Sequence, residues 1–234
     1  MAVIMCRQIV VPEYSLGVMA SDFEIGSTVK LLENGVPVDY LVVHQGLPGA
    51  MYDNSCDGVW LLRKTSHSTR VWNTSAVNNY KASSIHSFLN GTFLGLFDAA
   101  TQAAIVQAKI PYVNGTGNGG TVSTGADGLS TKIFLLSGTE IGWNYDNEAY
   151  YLSVEGSVLY FYSGTAGTSD LYANASVWLR SPTNNNSTSV YYVGTSNQKR
   201  YGGASYMENG VRPALILPST ARFDPETNVF MGVA

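Results

Sequence analysis

Two short apolar phrases near the end of the chain, Trp178-Leu179-Arg180-Ser181-Pro182 and Gly210-Val211-Arg212-Pro213-Ala214-Leu215-Ile216-Leu217, enclose a polar segment and decide how the fold is read. Both phrases are apolar runs set beside proline, the pattern of short buried strands ended by a turn signal. Between them, residues 183–209 are dominated by Asn, Ser, Tyr, Gly and Thr. Tyr supplies contact area at low entropic cost, and Ser, Gly and Asn supply adaptable hydrogen bonds. Such a segment is either a contact surface carried on a rigid frame or a plain polar hairpin that closes a β-rich domain.

The rest of the chain sets the frame. At 234 residues it is long enough to bury a full core, and no linker composition divides it into two domains. Apolar residues make up 45% and charged residues only 13%, with 24 Gly and 15 Tyr, so the expected surface is uncharged, aromatic and rich in turns. A net charge of -4 with no cluster of Lys and Arg argues against nucleic acid as a partner. The opening Met1-Ala2-Val3-Ile4-Met5-Cys6-Arg7 lacks the basic leader and apolar length of a signal peptide, and no apolar run approaches the roughly twenty residues of a membrane span. Cys6 and Cys56 are too few for a disulfide framework and are read as small buried apolar residues.

Residues 1–20 read as an arm for attachment or oligomerisation, with a β-type run Val3 to Val11 stopped by Pro12. Thr28 to Leu32 and Val36 to His44 flank Asn34-Gly35, the signature of a tight hairpin. Val59 to Arg63 follows the turn Asp57-Gly58 as a further strand. Between Ser83 and Lys109 the period changes to that of helices: one after the cap Ser83-Ser84, carrying Ile85, Phe88, Leu89 and Phe93, and one from Ala99 to Ala108 after Asp98. Residues 114–128 form a Gly/Asn/Thr loop, Lys132 to Leu136 a strand, and Ser137 to Glu140 a capped turn. Strands at Val177 to Leu179, Val190 to Val193 and Val211 to Leu217 complete the pattern, and residues 221–234 form a tail.

Several phrases carry a resemblance: Ile25 to Lys30, Val42 to Gly46, Ile85 to Asn90, Lys132 to Ser137 and the two closing runs. Over about residues 21–220 they resemble an uncharacterised domain family common in firmicute genomes and their prophages. The order of elements is also similar to the C-type-lectin-like fold of the formylglycine-generating enzymes and of retroelement-diversified phage receptor-binding proteins. The resemblance implies an α+β domain of twisted antiparallel sheets with two helices and long irregular loops. It places residues 183–209 on the ligand-binding face. The contact residues are then Asn184, Asn185, Asn186, Ser187 and Ser189 at the start, Tyr191, Asn197, Lys199 and Arg200 in the middle, and Tyr201, Ser205 and Tyr206 towards the end. Adenine mutagenesis of Asn codons by a retroelement would leave such a composition, and so would an undiversified glycan binder.

Chemistry finds little support in the pattern. Asp53 to Gly58 imitates the start of a calcium loop, but Lys64 stands where the bidentate Glu is required, so a plain turn is expected and no metal or cofactor. The lectin sugar-binding triplets are absent, since Trp72-Asn73 and Trp143-Asn144 lack the following acid. Cys56 and His44 are the obvious nucleophile and base, yet nothing in the sequence brings them together, and the late Cys pair of the formylglycine-generating enzymes is missing. Arg180 and Arg212 read as structural forks for loop carbonyls. The resulting expectation is a non-enzymatic receptor-binding protein of a phage or prophage tail, located in the virion or a related extracellular particle. Its partners would be a bacterial surface glycan or protein and other particle subunits, and a homo-oligomer is expected. A structural baseplate component without ligand binding is the alternative, and an enzyme related to the formylglycine-generating group stands third.

Overall fold

The computed structural model describes residues 17–143, 152–164 and 175–233. Its first element of consequence is the hairpin Thr28–Glu33 and Val36–Gln45. Asn34 and Gly35 both take positive φ, 50° and 78°, as a two-residue turn matched to strand twist demands. Alternate residues of Thr28–Glu33 are buried, so one face of the hairpin lies on the core. Val36–Gln45 pairs in turn with Val59–Arg63, that strand with Ala214–Leu217, and that with Ile133–Phe134, giving a five-stranded antiparallel sheet. Ala214–Leu217 is buried along its whole length, as an apolar run without alternation requires.

A second five-stranded sheet runs in the order Lys199–Gly203, Ser189–Val193, Val177–Pro182, Glu208–Gly210, Thr69–Val71. All its pairs are antiparallel except Val177–Pro182 with Glu208–Gly210, where Val177 faces Gly210 in parallel. The segment after residue 220, expected as a tail, supplies Ala221–Phe223 and Phe230–Val233, which form a small sheet with Val18–Met19. The Val3 to Val11 run lies outside the described residues.

The architecture is α+β: mostly open sheets, with two short α-helices on their flank. Ser83 accepts from the His86 amide and opens Ser84–Phe88, which continues through a π-helical turn, Leu89–Phe93. Asp98 accepts from the Thr101 amide and opens Ala99–Ala104. That second helix is four residues shorter than its sequence period suggests. Ile105 turns to extended geometry, the Val106 amide donates to the Ile216 carbonyl, and Ala108–Ile110 becomes a strand against Leu129–Thr131. The expected loop at 114–128 is likewise partly ordered, since Tyr112–Asn114 ladders with Thr121–Ser123.

Three indoles occupy the core, and each finds an acceptor for its N–H: Trp60 at the Cys56 carbonyl, Trp72 at that of Leu179 and Trp178 at that of Arg70, at 2.8–3.0 Å. A buried indole donor left unpaired would lose its water without compensation. The Trp178 and Trp72 bonds tie the closing phrase of the chain to its first third.

Candidate functional site

The polar segment rests on a buried ionic hub. Arg180 is fully buried, and its five N–H groups are all used. Nε donates to the Pro111 carbonyl, Nη1 to Leu135 O and Glu140 Oε2, and Nη2 to Glu140 Oε1 and Glu155 O, at 2.6–3.1 Å. The expected capped turn is the source of Glu140: Ser137 Oγ accepts from the Glu140 amide while Glu140 Oε2 accepts from the Ser137 amide, a reciprocal capping box. Tyr52 donates its hydroxyl to Glu140 Oε1 at 2.9 Å. A second buried carboxyl, Glu155, accepts the Val113 amide, and burial raises its pKa. Arg180 thus joins three separate chain segments directly beneath the start of residues 183–209, the structural role its sequence context suggests. Arg212 likewise donates Nε to the Arg63 carbonyl.

A clamp then shapes the turn. Asn78, fully buried, donates Nδ2 to the carbonyls of Asn186 and Ser189, accepts the Gly117 amide on Oδ1, and gives its own amide to Ser187 O. Gly117 must be glycine here, because a Cβ would stand 1.8 Å from the Thr183 carbonyl oxygen. Asn186 Oδ1 accepts the amides of Thr188 and Ser189, so this side chain is spent on the turn. Asn184, Ser187 and Ser189 are half-buried and Asn185 is exposed.

From Ser189 the chain enters a five-residue ladder with Lys199–Gly203, closed by a turn in which Ser196 and Asn197 take positive φ. Asn197 therefore serves a backbone need, since Asn tolerates the left-handed region. Alternation along the ladder sorts the remaining side chains. Tyr191 lies directly opposite Tyr201, the ring centroids 6.4 Å apart, and Lys199 Nζ stands 5.3 Å from the Tyr191 ring. Tyr191 is only 1% exposed, packed between Tyr201 and Trp143, so as a contact residue it is displaced by burial. Tyr192 faces the other way onto Trp178. The open aromatic surface consists of Tyr201, 43% exposed, and Tyr206, 78% exposed, with half-buried Ser205 and Lys199 and exposed Arg200 around it. Gly203 makes room for Tyr206: a Cβ on it would lie 1.9 Å from the ring.

The residues considered for chemistry do not assemble. Cys56 donates its thiol to the Lys109 carbonyl, and burial pushes that thiol up to about 12, far from a reactive thiolate. His44 Nδ1 accepts the Tyr160 amide, and burial lowers its pKa. Asp53 Oδ1 accepts the Ser55 amide and caps a single 3-10 turn, as a plain turn would. Among the described residues no group of three or more His, Cys, Asp or Glu is placed to hold a metal ion, and no helix is long and apolar enough to cross a membrane. Asn78 is the residue that sequence reading misses. It stands more than a hundred positions from the turn it holds, with no local pattern to single it out.

Comparison with known proteins gives a family without a function. The family described as Domain of unknown function (DUF6273) matches residues 57–219, and the chain belongs to it. No curated protein and no solved structure matches the chain.

Proposed function

We propose that this member of the DUF6273 family is a non-enzymatic recognition protein of C-type-lectin-like design, carried on a phage or prophage tail or a related particle, which turns residues 183–209 towards a bacterial surface glycan or protein. The observation that carries the reading is the pair Tyr201 and Tyr206, open to solvent, the first on the ladder strand Lys199–Gly203 and the second in the turn that follows it. Exposed tyrosine rings on a strand and its adjoining turn suit stacking against sugar faces or capture of an apolar side chain, because a tyrosine has few rotatable bonds to freeze on binding. Asn185, Ser205, Lys199 and Arg200 supply polar contacts at the rim. A single face of this size binds weakly, so several copies per particle would raise avidity. Diversification of the segment by a retroelement fits its composition, provided that Asn186 and Asn197, which hold turns, stay within residues their geometry accepts.

The test uses fluorescently labelled protein on a panel of intact bacterial cells and on purified surface polysaccharides. Wild-type protein should bind at least one member, and the double variant Tyr201→Ala/Tyr206→Ala should bind at least tenfold more weakly, equal to about 1.4 kcal/mol. Its melting temperature should fall by only a few degrees, since Tyr206 is open to solvent and Tyr201 covers only one side of Tyr191. Unchanged binding by the double variant, or no binding anywhere on the panel, refutes the reading.

A further inference from the structure

At the far edge of the same sheet from Lys199–Gly203 lies a polar pocket of about 370 Å³, lined by Thr69, Arg70, Val71, Thr74, Ser84, Ile85 and Glu208. Its volume falls in the range of small-ligand sites, about 300–1,000 Å³. Thr69–Val71 is the edge strand and pairs only with Glu208–Gly210, so the pocket is built on regular structure and not on a loose loop. Four strand spacings of about 4.8 Å separate Thr69–Val71 from the strand of Tyr201, roughly 19 Å, too far for one small ligand to touch both.

The groups in the pocket are prepared for a ligand they do not meet within the chain. The Arg70 guanidinium carbon sits 3.6 Å above the centroid of the Phe88 ring, which fixes the plane of the fork. Arg70 is exposed, and among the described residues the N–H groups of its fork donate to none. The Thr69 and Thr74 hydroxyls also bond no described residue, and Ser84 Oγ accepts the Thr74 amide while keeping its own proton to donate. Glu208, opposite Val71 in the ladder, brings an exposed carboxylate that is an acceptor only.

A planar, pre-oriented guanidinium selects a carboxylate or phosphate that can take two of its N–H groups at once. Hydroxyls that donate or accept, together with a carboxylate that can only accept, select neighbouring hydroxyl groups. The carboxylate also disfavours a bare dianion, which offers it nothing to accept. We propose that this pocket binds the anionic end of a hydroxyl-rich molecule, a sugar acid or a polyol phosphate, as a site separate from the tyrosine face.

The experiment is an NMR titration of the full chain with glucuronate in one arm and glycerol 3-phosphate in the other, with glucose and inorganic phosphate as references. Saturable shifts confined to the amides of residues 69–74, 84 and 208 are expected with one or both acids, the responding arm telling a carboxylate from a phosphate ligand. Arg70→Gln should weaken that binding at least tenfold. Arg70→Lys, which keeps the charge and the fold but loses the paired N–H groups, should fall between the two. Glu208→Ala should weaken binding of the responding acid while strengthening that of inorganic phosphate, a reversal that general loss of structure cannot produce. No saturable shift with either acid, or equal binding by Arg70→Gln, overturns the proposal. Tyr201→Ala/Tyr206→Ala should leave these shifts unchanged, so the two sites stand or fall separately.

Discussion

Replacing Asn78 by Ala removes one small side chain from the interior and should open the turn on which the proposed contact face is built. Three buried side-chain hydrogen bonds disappear together: Nδ2 to the carbonyls of Asn186 and Ser189, and Oδ1 from the Gly117 amide. A hydrogen bond contributes about 1 kcal/mol net, so the three are worth about 3 kcal/mol. The stranded carbonyls of a closed site push that figure upward, and water entering the loosened turn pulls it back. For a chain of this size 1 kcal/mol moves the melting temperature by about 2–4 °C, so the expected fall is about 6–12 °C. Asn78→Asp is the informative companion. It keeps the acceptor for Gly117 but sets a carboxylate oxygen against two carbonyls, and it should be at least as destabilising as Ala. The assay is thermal unfolding followed by hydrogen exchange of the amides at 187–189, which should lose protection before the strands of the other sheet do. A fall below 2 °C for Asn78→Ala, or unchanged protection at those amides, would show that the turn is held by something other than this clamp.

Two further predictions concern the frame. Arg180→Met leaves Glu140 buried without its cation, and breaking such a pair costs about 3–5 kcal/mol in urea unfolding. The double variant Arg180→Met/Glu140→Met should recover at least half of that loss, and a double variant no more stable than the single one would show that the pair itself is not the cause. His44 supplies a pH test. Burial lowers its pKa below the ordinary 6.5, against the pull of Glu140's charge, so its contribution to stability is whole above that value and is lost as pH falls through the folded pKa. Urea midpoints at pH 7.5 and 5.5 should therefore differ less in His44→Gln than in wild type, and equal differences would remove His44 as a source of the acid sensitivity.

The proposed contact face shows how unevenly such a segment can be read from residues alone. Composition pointed to residues 183–209, and two of the tyrosines named there, Tyr201 and Tyr206, are open to solvent. Composition could not separate them from Tyr191, because a tyrosine has the same sequence character on either side of a strand. The register Tyr191 opposite Tyr201, and the packing of Trp143, decide which ring is covered. Asn186 and Asn197 look like free amides in sequence, yet one caps a turn and the other bends a backbone.

Local rules carried the elements whose causes are local. The Asn34-Gly35 hairpin follows from φ preferences of two adjacent residues, the helix starts from capping side chains three positions away, and the Ser137 to Glu140 turn from its own capping box. Where the cause is distant, sequence was silent or misleading. Ala108 reads as helical until Leu129–Thr131 offers it a ladder, and the strands Thr69–Val71 and Glu208–Gly210 are too short to show a period of their own. The sequence by itself determined a sparsely charged α+β domain with a polar, tyrosine-rich segment between two buried runs. Only the tertiary structure decided which of those polar groups face water, because that depends on partners such as Asn78, Gly117 and Arg70, which lie far away in the chain and reach the segment or its sheet only after the chain has folded.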